Sequence, residues 1–139
     1  MKVEYLTELD VRFQVNPNQG RRWQLIAPFR LVIDGAKFEV PILFWTDFAS
    51  IPRLLWPLIS PYDIGKGPII HDYGYFTGIG SKNFWDQVLS ACMETDQITP
   101  WKLSPVYHAV DWFGGPVWSN YRKQGSTTNQ IDRLKTRSK

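Results

Sequence analysis

The sequence is poor in the residues that build disulfides and metal sites. Its 139 residues include one cysteine, Cys92, and two histidines, His71 and His108. A single thiol excludes an internal disulfide, and Cys92 lies among apolar residues in a helical pattern, which predicts a small buried side chain rather than a nucleophile. A zinc site needs three or four His, Cys or carboxylate ligands at close spacing, so none is predicted.

The sequence also lacks the motifs of several common enzyme classes. It contains no Gly-x-Ser-x-Gly elbow, and Gly65-Lys66-Gly67 is too short for a phosphate-binding loop and lacks the following Ser or Thr. A nucleotide hydrolase is therefore not predicted. No apolar run approaches the length that a bilayer requires, and the first residues form no secretory hydrophobic segment. We expect a soluble protein made in a cytoplasm.

Aromatic residues and a basic C-terminal segment are what the sequence has in excess. Aromatic residues make up 15% of the chain and include seven tryptophans, so some are expected at a partner surface or pocket wall. The formal net charge is +3, and the segment 121–139 holds six Lys or Arg against one Asp. A solvated arm is the commoner explanation of such a tail, and contact with an acidic partner is the alternative. Nucleic acid is the least expected partner, because the basic residues are not interleaved with aromatics.

The first 48 residues predict a small antiparallel sheet. Between residues 9 and 15 apolar and polar residues alternate, which is the period-two pattern of a half-buried strand. Asp34-Gly35 predicts a type I′ hairpin turn, since this turn favours residues that tolerate positive φ. The apolar runs predict strands at 9–15, 23–27, 29–33 and 36–44.

After residue 48 the pattern changes to helical spacing. Ser50, Ser81 and Thr99 are natural N-caps, and the segment 114–116, Gly-Gly-Pro, is predicted to end the last helix. Helices are predicted at 51–56, 68–76, 82–95 and 100–113.

These elements predict one α+β domain with the sheet first and the helices after it. The length fits a single domain with a core of its own. The domain is predicted to span residues 1–120, with the sheet at 1–48 and the helical part at 49–120. The segment 121–139 has no periodicity and few apolar residues, so it is predicted to be a basic flexible tail.

The strongest candidate site is the stretch Ile69-Ile70-His71-Asp72-Tyr73-Gly74-Tyr75. Histidine titrates close to neutral pH, so a His held beside a carboxylate can exchange a proton near pH 7. On a helix Asp72 points about a third of a turn away from His71, whereas Tyr75 shares its face. The orienting carboxylate must come from another element, and Asp86 is the nearest candidate. The alternative is a hydrogen-bonded core histidine without catalytic function.

The run Thr46-Asp47-Phe48-Ala49-Ser50-Ile51-Pro52, followed by the His71-Asp72-Tyr73 helix and a helix with Asp86, resembles a widespread family of small phage and prophage proteins of unknown function. The resemblance spans residues 35–115. It implies a phage origin, with a role in virion assembly or in lysis and entry. It also marks Thr46, Asp47 and Ser50 as motif positions.

A second, local resemblance is to the two-helix core of phospholipase A2 enzymes, in which a His-Asp-Phe-Gly-Tyr helix precedes a helix with an Asp. The stretch from His71 to Tyr75 is similar to the first helix, and Asp86-Gln87-Val88-Leu89 to the second. The resemblance implies that His71 is the general base, Asp72 a calcium ligand and Asp86 the carboxylate that orients the His71 ring. The chain departs from these enzymes in having no disulfides and no matching glycine-rich calcium loop.

Two functions follow as expectations. The first is a hydrolase built on His71, Asp86 and Tyr75, with Asp72 holding a cation such as calcium, that acts on a lipid or another cell-envelope substrate. The second is a non-enzymatic phage virion protein of the tail, neck or capsid. It would dock onto other virion proteins, or onto another copy of itself, through Trp-rich surfaces and the basic tail. Either protein is expected to be made in the host cytoplasm, and the second to end in the virion.

Overall fold

The computed structural model describes residues 1–16, 20–46 and 65–123. Sheet residues come first and helices follow, which confirms the predicted α+β class. The predicted helix 51–56 and its cap Ser50 lie outside the described residues. The described elements are β1 Val3–Tyr5, β2 Val11–Asn16, β3 Gly20–Leu25, β4 Phe29–Ile33, β5 Ala36–Val40, β6 Trp45–Thr46, α1 Gly67–Thr77, α2 Lys82–Thr95 and α3 Pro100–Lys123.

The strands form two three-stranded antiparallel sheets, where the sequence predicted one. The strand orders are β1-β4-β5 and β2-β3-β6. Asp34 and Gly35 connect β4 to β5 with φ values of 48° and 82°, which is the backbone that the predicted type I′ turn requires. β5 ends at Val40 rather than at residue 44, because Pro41 lacks the N–H that the next ladder position needs.

The alternation predicted for residues 9–15 is found only in part. Val11, at the start of β2, packs against the main core. Phe13 and Val15 are 48% and 68% exposed, although their spacing predicted burial. Phe13 instead lies across from Trp23 of β3, with ring centroids 5.1 Å apart. Both exposed residues lie nearer the turn end of the β2–β3 hairpin, farther along the strand from the core contact of Val11.

Helices α1 and α2 form an antiparallel pair joined by residues 78–81. Gly78 ends α1 in the left-handed conformation, and the Ser81 hydroxyl accepts the backbone N–H of Phe84 at 3.1 Å, as the capping signals predicted. The pair shares one core with the β1-β4-β5 sheet. Its buried residues include Phe29, Leu31, Ile33, Val40, Ile69, Ile70, Trp85, Val88 and Cys92.

The prediction that residues 114–116 end the last helix is wrong, because α3 continues to Lys123. Pro116 lacks an N–H and so removes one intrahelical hydrogen bond, but packing beyond it holds the helix together. The Trp118 ring lies edge-on to Tyr75 of α1, with ring centroids 5.3 Å apart. Tertiary contact therefore outweighs the local helix-breaking signal.

The last turn of α3 also carries a cap for α1. Arg122 Nη2 donates to the backbone carbonyls of Tyr75, at 2.6 Å, and of Phe76, at 3.0 Å. These carbonyls belong to the last turn of α1 and have no donor within their own helix. Residues 121–123, which were predicted to begin the flexible tail, are thus helical, and residues 124–139 lie outside the described part of the chain.

Candidate active site

Helices α1 and α2 carry the candidate site on their facing sides. His71 lies in the second turn of α1, whose first turn contains Pro68 at a position where a missing N–H is harmless. Asp86 lies in the second turn of α2. Because the connection between the helices is short, the two residues meet across the pair, and Asp86 is the carboxylate that the sequence offered as the partner of His71.

The Asp86 carboxylate holds both of the side chains that were predicted to share its site. His71 Nε2 lies 2.9 Å from Asp86 Oδ1, and the Tyr75 hydroxyl donates to the same oxygen at 2.6 Å. The His71 and Tyr75 rings lie against each other with centroids 4.2 Å apart. His71 and Asp86 are both 0% exposed. The structure thus brings the three predicted residues together inside the protein core.

The hydrogen bonds around Asp86 determine its charge. Burial by itself raises the pKa of Asp86, but hydrogen bonds from His71, Lys82 and Tyr75 outweigh burial, and the pKa lies below its usual value. Asp86 is therefore a carboxylate at neutral pH. Burial raises the pKa of Tyr75, and the hydrogen bond that its hydroxyl donates to the same carboxylate raises it further, so Tyr75 stays protonated.

The protonation of the His71 ring follows from its partner. An ionised carboxylate has only acceptor sites, so His71 Nε2 carries the hydrogen and donates it to Asp86. Burial lowers the pKa of His71, and although Asp86 opposes this, the result is below the usual value. The ring is thus neutral at pH 7, with its proton on Nε2, and Nδ1 is its basic nitrogen.

Lys82 joins His71, Tyr75 and Asp86 in one hydrogen-bonded group, the Asp86 cluster, and the sequence did not predict its part in the site. Its Nζ donates to Asp86 Oδ2 at 2.6 Å, and it also donates to the backbone carbonyls of Val110, at 3.0 Å, and Asp111, at 3.2 Å. The spacing of four residues between Lys82 and Asp86 places both on one face of α2 and could have identified the pair. The contacts of Lys82 with the α3 carbonyls could not be predicted, because no pattern in the sequence indicates them.

Asp72, the predicted metal ligand, is close enough to the Asp86 cluster for its charge to add to the effect of burial in raising the pKa of Tyr75. Its Oδ2 accepts the hydroxyl of Thr46, the first of the motif positions, at 2.5 Å. Thr46 itself is buried. Among the residues that the structure describes, no group of three or more His, Cys, Asp or Glu side chains could hold a metal ion. Within the described ranges, Asp72 is therefore not part of a group of acidic, His or Cys side chains that could bind a cation together. The motif positions Asp47 and Ser50 lie outside the described ranges.

The second histidine and the cysteine lie outside the candidate site. His108 is exposed on α3 and stacks on Trp112 with ring centroids 5.2 Å apart. Cys92 is fully buried, and burial raises the pKa of its thiol to about 12. A thiol with so high a pKa is not a nucleophile at neutral pH, which agrees with the prediction of a small buried side chain.

The outer side of α3 carries large apolar residues that are exposed to solvent. Trp101, Trp112, Phe113 and Val117 are exposed there, and Trp112 reaches 69%. Trp101, His108 and Trp112 share one side of the helix, because they are seven and four residues apart. Within the three described ranges, no helix has the length and the apolarity needed to cross a membrane.

Comparison with known proteins gives a family but no activity. A family model described as "Protein of unknown function (DUF1353)" matches residues 23–110, a range that begins within β3 and contains β4 to β6, both helices of the candidate site and the first half of α3. No curated protein and no solved structure gave a significant match to the chain.

Proposed function

The chain belongs to this family of unknown function, so its activity has to be inferred from the site, and we propose that it is a hydrolase that cleaves ester bonds of phospholipids with His71 as general base. The observation that carries the proposal is the hydrogen bond of His71 Nε2 to Asp86 Oδ1, at 2.9 Å, with Tyr75 on the same oxygen. A carboxylate that holds one ring nitrogen fixes the ring and its tautomer, as general bases require.

The proposed reaction is a direct attack by water. In the opened site, with Nδ1 of the neutral His71 ring released to the substrate side, Nδ1 accepts a proton from a water molecule as the water oxygen attacks the ester carbonyl carbon. The resulting tetrahedral intermediate collapses, the bond to the leaving alkoxide breaks, and the alkoxide takes the proton back from Nδ1. Asp86 stays ionised throughout and stabilises the transient imidazolium, while Tyr75 keeps the carboxylate in place.

The burial of His71 and Asp86 has two opposite effects on this reaction. It lowers the pKa of His71 and so keeps the ring in its neutral, proton-accepting form, and a dry site strengthens the interaction of the imidazolium with Asp86. It also means that a substrate reaches Nδ1 only when the side chains above the ring move aside, because His71 is fully buried. The proposed activity thus requires an opening motion near α1.

Calcium is part of the proposal through Asp72. Calcium prefers oxygen ligands and accepts carboxylates, backbone carbonyls and water, and bound near the site it would polarise the ester carbonyl. Asp72 and Thr46 supply two side-chain oxygens there, so the remaining ligands would have to be backbone carbonyls and water. No step of the reaction above depends on the ion.

A lipid substrate is supported by the outer side of α3. Trp101, Trp112 and Phe113 are exposed, and tryptophan in particular is favoured at the boundary between lipid and water. The inner side of the same helix contacts the site through Tyr75 and Lys82. A surface that attracts lipid would therefore lie on an element that touches the proposed catalytic residues.

The test is release of fatty acid from vesicles of phosphatidylglycerol and phosphatidylethanolamine, measured with and without calcium. We expect release by the wild-type protein, and a loss of about 100-fold or more in His71→Gln and in Asp86→Asn, the contribution typical of general-base catalysis. Glu94→Gln is the control, because it removes the charge of an exposed carboxylate on the same helix as Asp86 and off the proposed lipid surface, and it should retain full activity. Equal release by the wild type and His71→Gln would contradict the proposal.

A second candidate function is a non-enzymatic virion protein of a phage. It is favoured by the same exposed residues of α3, here as a docking surface for other virion proteins, and by the full burial of His71, which is equally suited to a structural network. The test is quantitative mass spectrometry of purified particles from a phage that encodes this chain. Wild-type protein should be present at a fixed copy number, and Trp112→Ser should lower it. Absence of the wild-type protein from the particles would contradict this function.

A further inference from the structure

Lys82 contacts Asp86, but it belongs to neither of the sequence motifs and takes no part in the proposed reaction. We propose that Lys82 is the positioning residue of the site: its ammonium group is the counter-ion of Asp86 and ties the orientation of that carboxylate to the backbone of α3. The inference rests on the proposed function for its catalytic consequence only, because the arrangement it describes can be tested without any substrate.

The contacts of Lys82 account for all of its hydrogen-bond donors. An ammonium group has three N–H bonds, and Nζ has three acceptors: Asp86 Oδ2 at 2.6 Å, the Val110 carbonyl at 3.0 Å and the Asp111 carbonyl at 3.2 Å. No donor remains for a substrate. Lys82 therefore acts through Asp86 rather than on the reacting atoms, which makes it a positioning residue and not a catalytic one.

The two oxygens of Asp86 have separate tasks. Oδ1 accepts hydrogen bonds from His71 and Tyr75, whereas Oδ2 faces Lys82. If Lys82 were removed, the carboxylate could rotate about its side-chain bonds, because one of its oxygens would have no partner of opposite charge. Holding Oδ2 thus fixes Oδ1, and Oδ1 fixes the His71 ring.

The burial of Asp86 requires a counter-charge, and Lys82 provides it. A buried carboxylate without a partner of opposite charge is strongly unfavourable, and Asp86 is fully buried. The His71 ring shares that burial and is neutral, so the positive charge comes from Lys82, whose side chain is 21% exposed. This differs from an ordinary helix-surface ion pair at the same spacing, in which both groups are solvated and the energy is small.

The link to α3 is close because a glycine lies at the crossing. A Cβ built at Gly114 would be 2.5 Å from the Tyr75 hydroxyl and 3.2 Å from Lys82 Cε. Only a residue without a side chain permits α3 to approach so closely. The two carbonyls that accept from Lys82 lie one turn before this glycine. The position of α3 and the orientation of Asp86 therefore depend on the same ammonium group.

The experiment compares Lys82→Met, Lys82→Gln and Lys82→Arg with Lys102→Met, a control on α3 whose ammonium contacts the Trp101 ring and not the cluster. The first measurement is the NMR signal of the His71 ring N–H, which is slow to exchange with water while the ring donates to Asp86 inside the core. We expect this signal in the wild type, Lys82→Arg and Lys102→Met, and its loss in Lys82→Met and Lys82→Gln.

The second measurement is hydrogen exchange of the α3 amides near Gly114, which should become faster in Lys82→Met and Lys82→Gln but not in Lys102→Met. If Lys82→Met does not fold, both measurements are made on Lys82→Gln alone, since glutamine keeps a polar group without the charge. A ring N–H signal and α3 exchange that are unchanged in both neutral variants would overturn the proposal, because neither Asp86 nor α3 would then depend on Lys82.

The third measurement is hydrolysis by the same variants. In the neutral variants kcat should fall about 10- to 100-fold, by analogy with the loss seen when the partners that orient metal-ligating side chains are removed, with KM nearly unchanged, and Lys82→Arg should restore most of it. Absent hydrolysis in the wild type, together with the expected ring N–H results, would disprove the hydrolase and leave the role of Lys82 intact. Full activity in Lys82→Gln would disprove the role of Lys82 and leave the hydrolase intact.

Discussion

The indole ring of Trp85 lies directly against the backbone of Gly74, so that a Cβ built on Gly74 would be 2.0 Å from Trp85 Cδ2. Trp85 Nε1 donates to the Ile79 carbonyl at 2.6 Å, which fixes the ring at the connection between α1 and α2. Trp85 is the neighbour of Asp86, and Gly74 the neighbour of Tyr75. The close approach of the two helices at this point therefore sets the distance across which the Asp86 cluster forms.

Gly74→Ala should destabilise the protein, although alanine is the better helix former. The added methyl group meets a buried indole that cannot move without breaking its hydrogen bond, and such overpacking costs about 1–3 kcal/mol, against a gain of about 1 kcal/mol from helix propensity. The net loss should appear as a lower urea midpoint in far-UV circular dichroism. The ring N–H signal of His71 should also shift.

A double-mutant cycle controls this prediction. In a Trp85→Leu background the smaller side chain leaves room for the methyl group, so Gly74→Ala should cost less there than in the wild type. The two substitutions are in contact, and contacting residues typically show coupling energies of about 0.5–3 kcal/mol. Strictly additive effects would mean that the Gly74–Trp85 contact does not limit the approach of the helices.

The fold could be predicted wherever the signal was local. The Asp34-Gly35 turn and the Ser81 cap act through backbone conformations and hydrogen bonds within a few residues, and the structure has both where the sequence indicated them. The length of α3 could not be predicted this way. Pro116 is a local signal to end the helix, but Trp118 packs on Tyr75, which lies more than forty positions earlier in the chain.

The candidate site, like the fold, could be predicted only where local helix geometry determines it. His71 and Asp86 lie at similar distances from a short connection, so their contact followed from helix geometry. Their complete burial and the contacts of Lys82 with α3 arise from packing between distant segments. No periodicity in the sequence carries that information, so the sequence identified the pair but not its surroundings.

Arg122→Gln should destabilise the protein by removing the cap of α1. The guanidinium donates to two backbone carbonyls, Tyr75 and Phe76, at 2.6 and 3.0 Å, and hydrogen bonds from a charged group contribute about 1.5–3 kcal/mol when they are partly buried. Lys123→Gln removes the same charge from the next residue, which is exposed, and should change stability by less than about 0.5 kcal/mol. Chemical unfolding of both variants measures the difference, and equal effects would reduce the role of Arg122 to general charge.

Stability should fall as the solution becomes acidic, in two steps. Burial lowers the pKa of His71 in the folded protein below its ordinary value of 6.5, so below pH 6.5 the unfolded chain binds a proton that the folded protein does not. The stability is therefore complete above pH 6.5 and declines as the pH falls toward the folded pKa, by at most about 1.4 kcal/mol per pH unit. The pKa of Asp86 is also lowered, from 3.8, so its contribution is lost at still lower pH.

Unfolding free energies measured between about pH 8 and pH 5 test the first step, because this is the range in which histidine titrates. His71→Gln should remove the slope in this range, whereas His108→Gln, which changes an exposed ring, should leave it in place. A wild-type slope that survives in His71→Gln would show that another group causes it.

Calcium should stabilise the wild-type protein through Asp72. A ligand that binds only the folded state adds about 1.4 kcal/mol when its concentration is ten times its Kd, and this appears as a higher melting temperature. Asp72→Asn keeps an acceptor for the Thr46 hydroxyl but lacks the negative charge that a hard cation needs, so calcium should no longer raise its melting temperature. Asp111→Asn, on the exposed side of α3, is the charge-matched control and should respond like the wild type. A wild-type melting temperature that calcium leaves unchanged would remove Asp72 from the proposed site, while His71 and Asp86 would still be judged by their own variants.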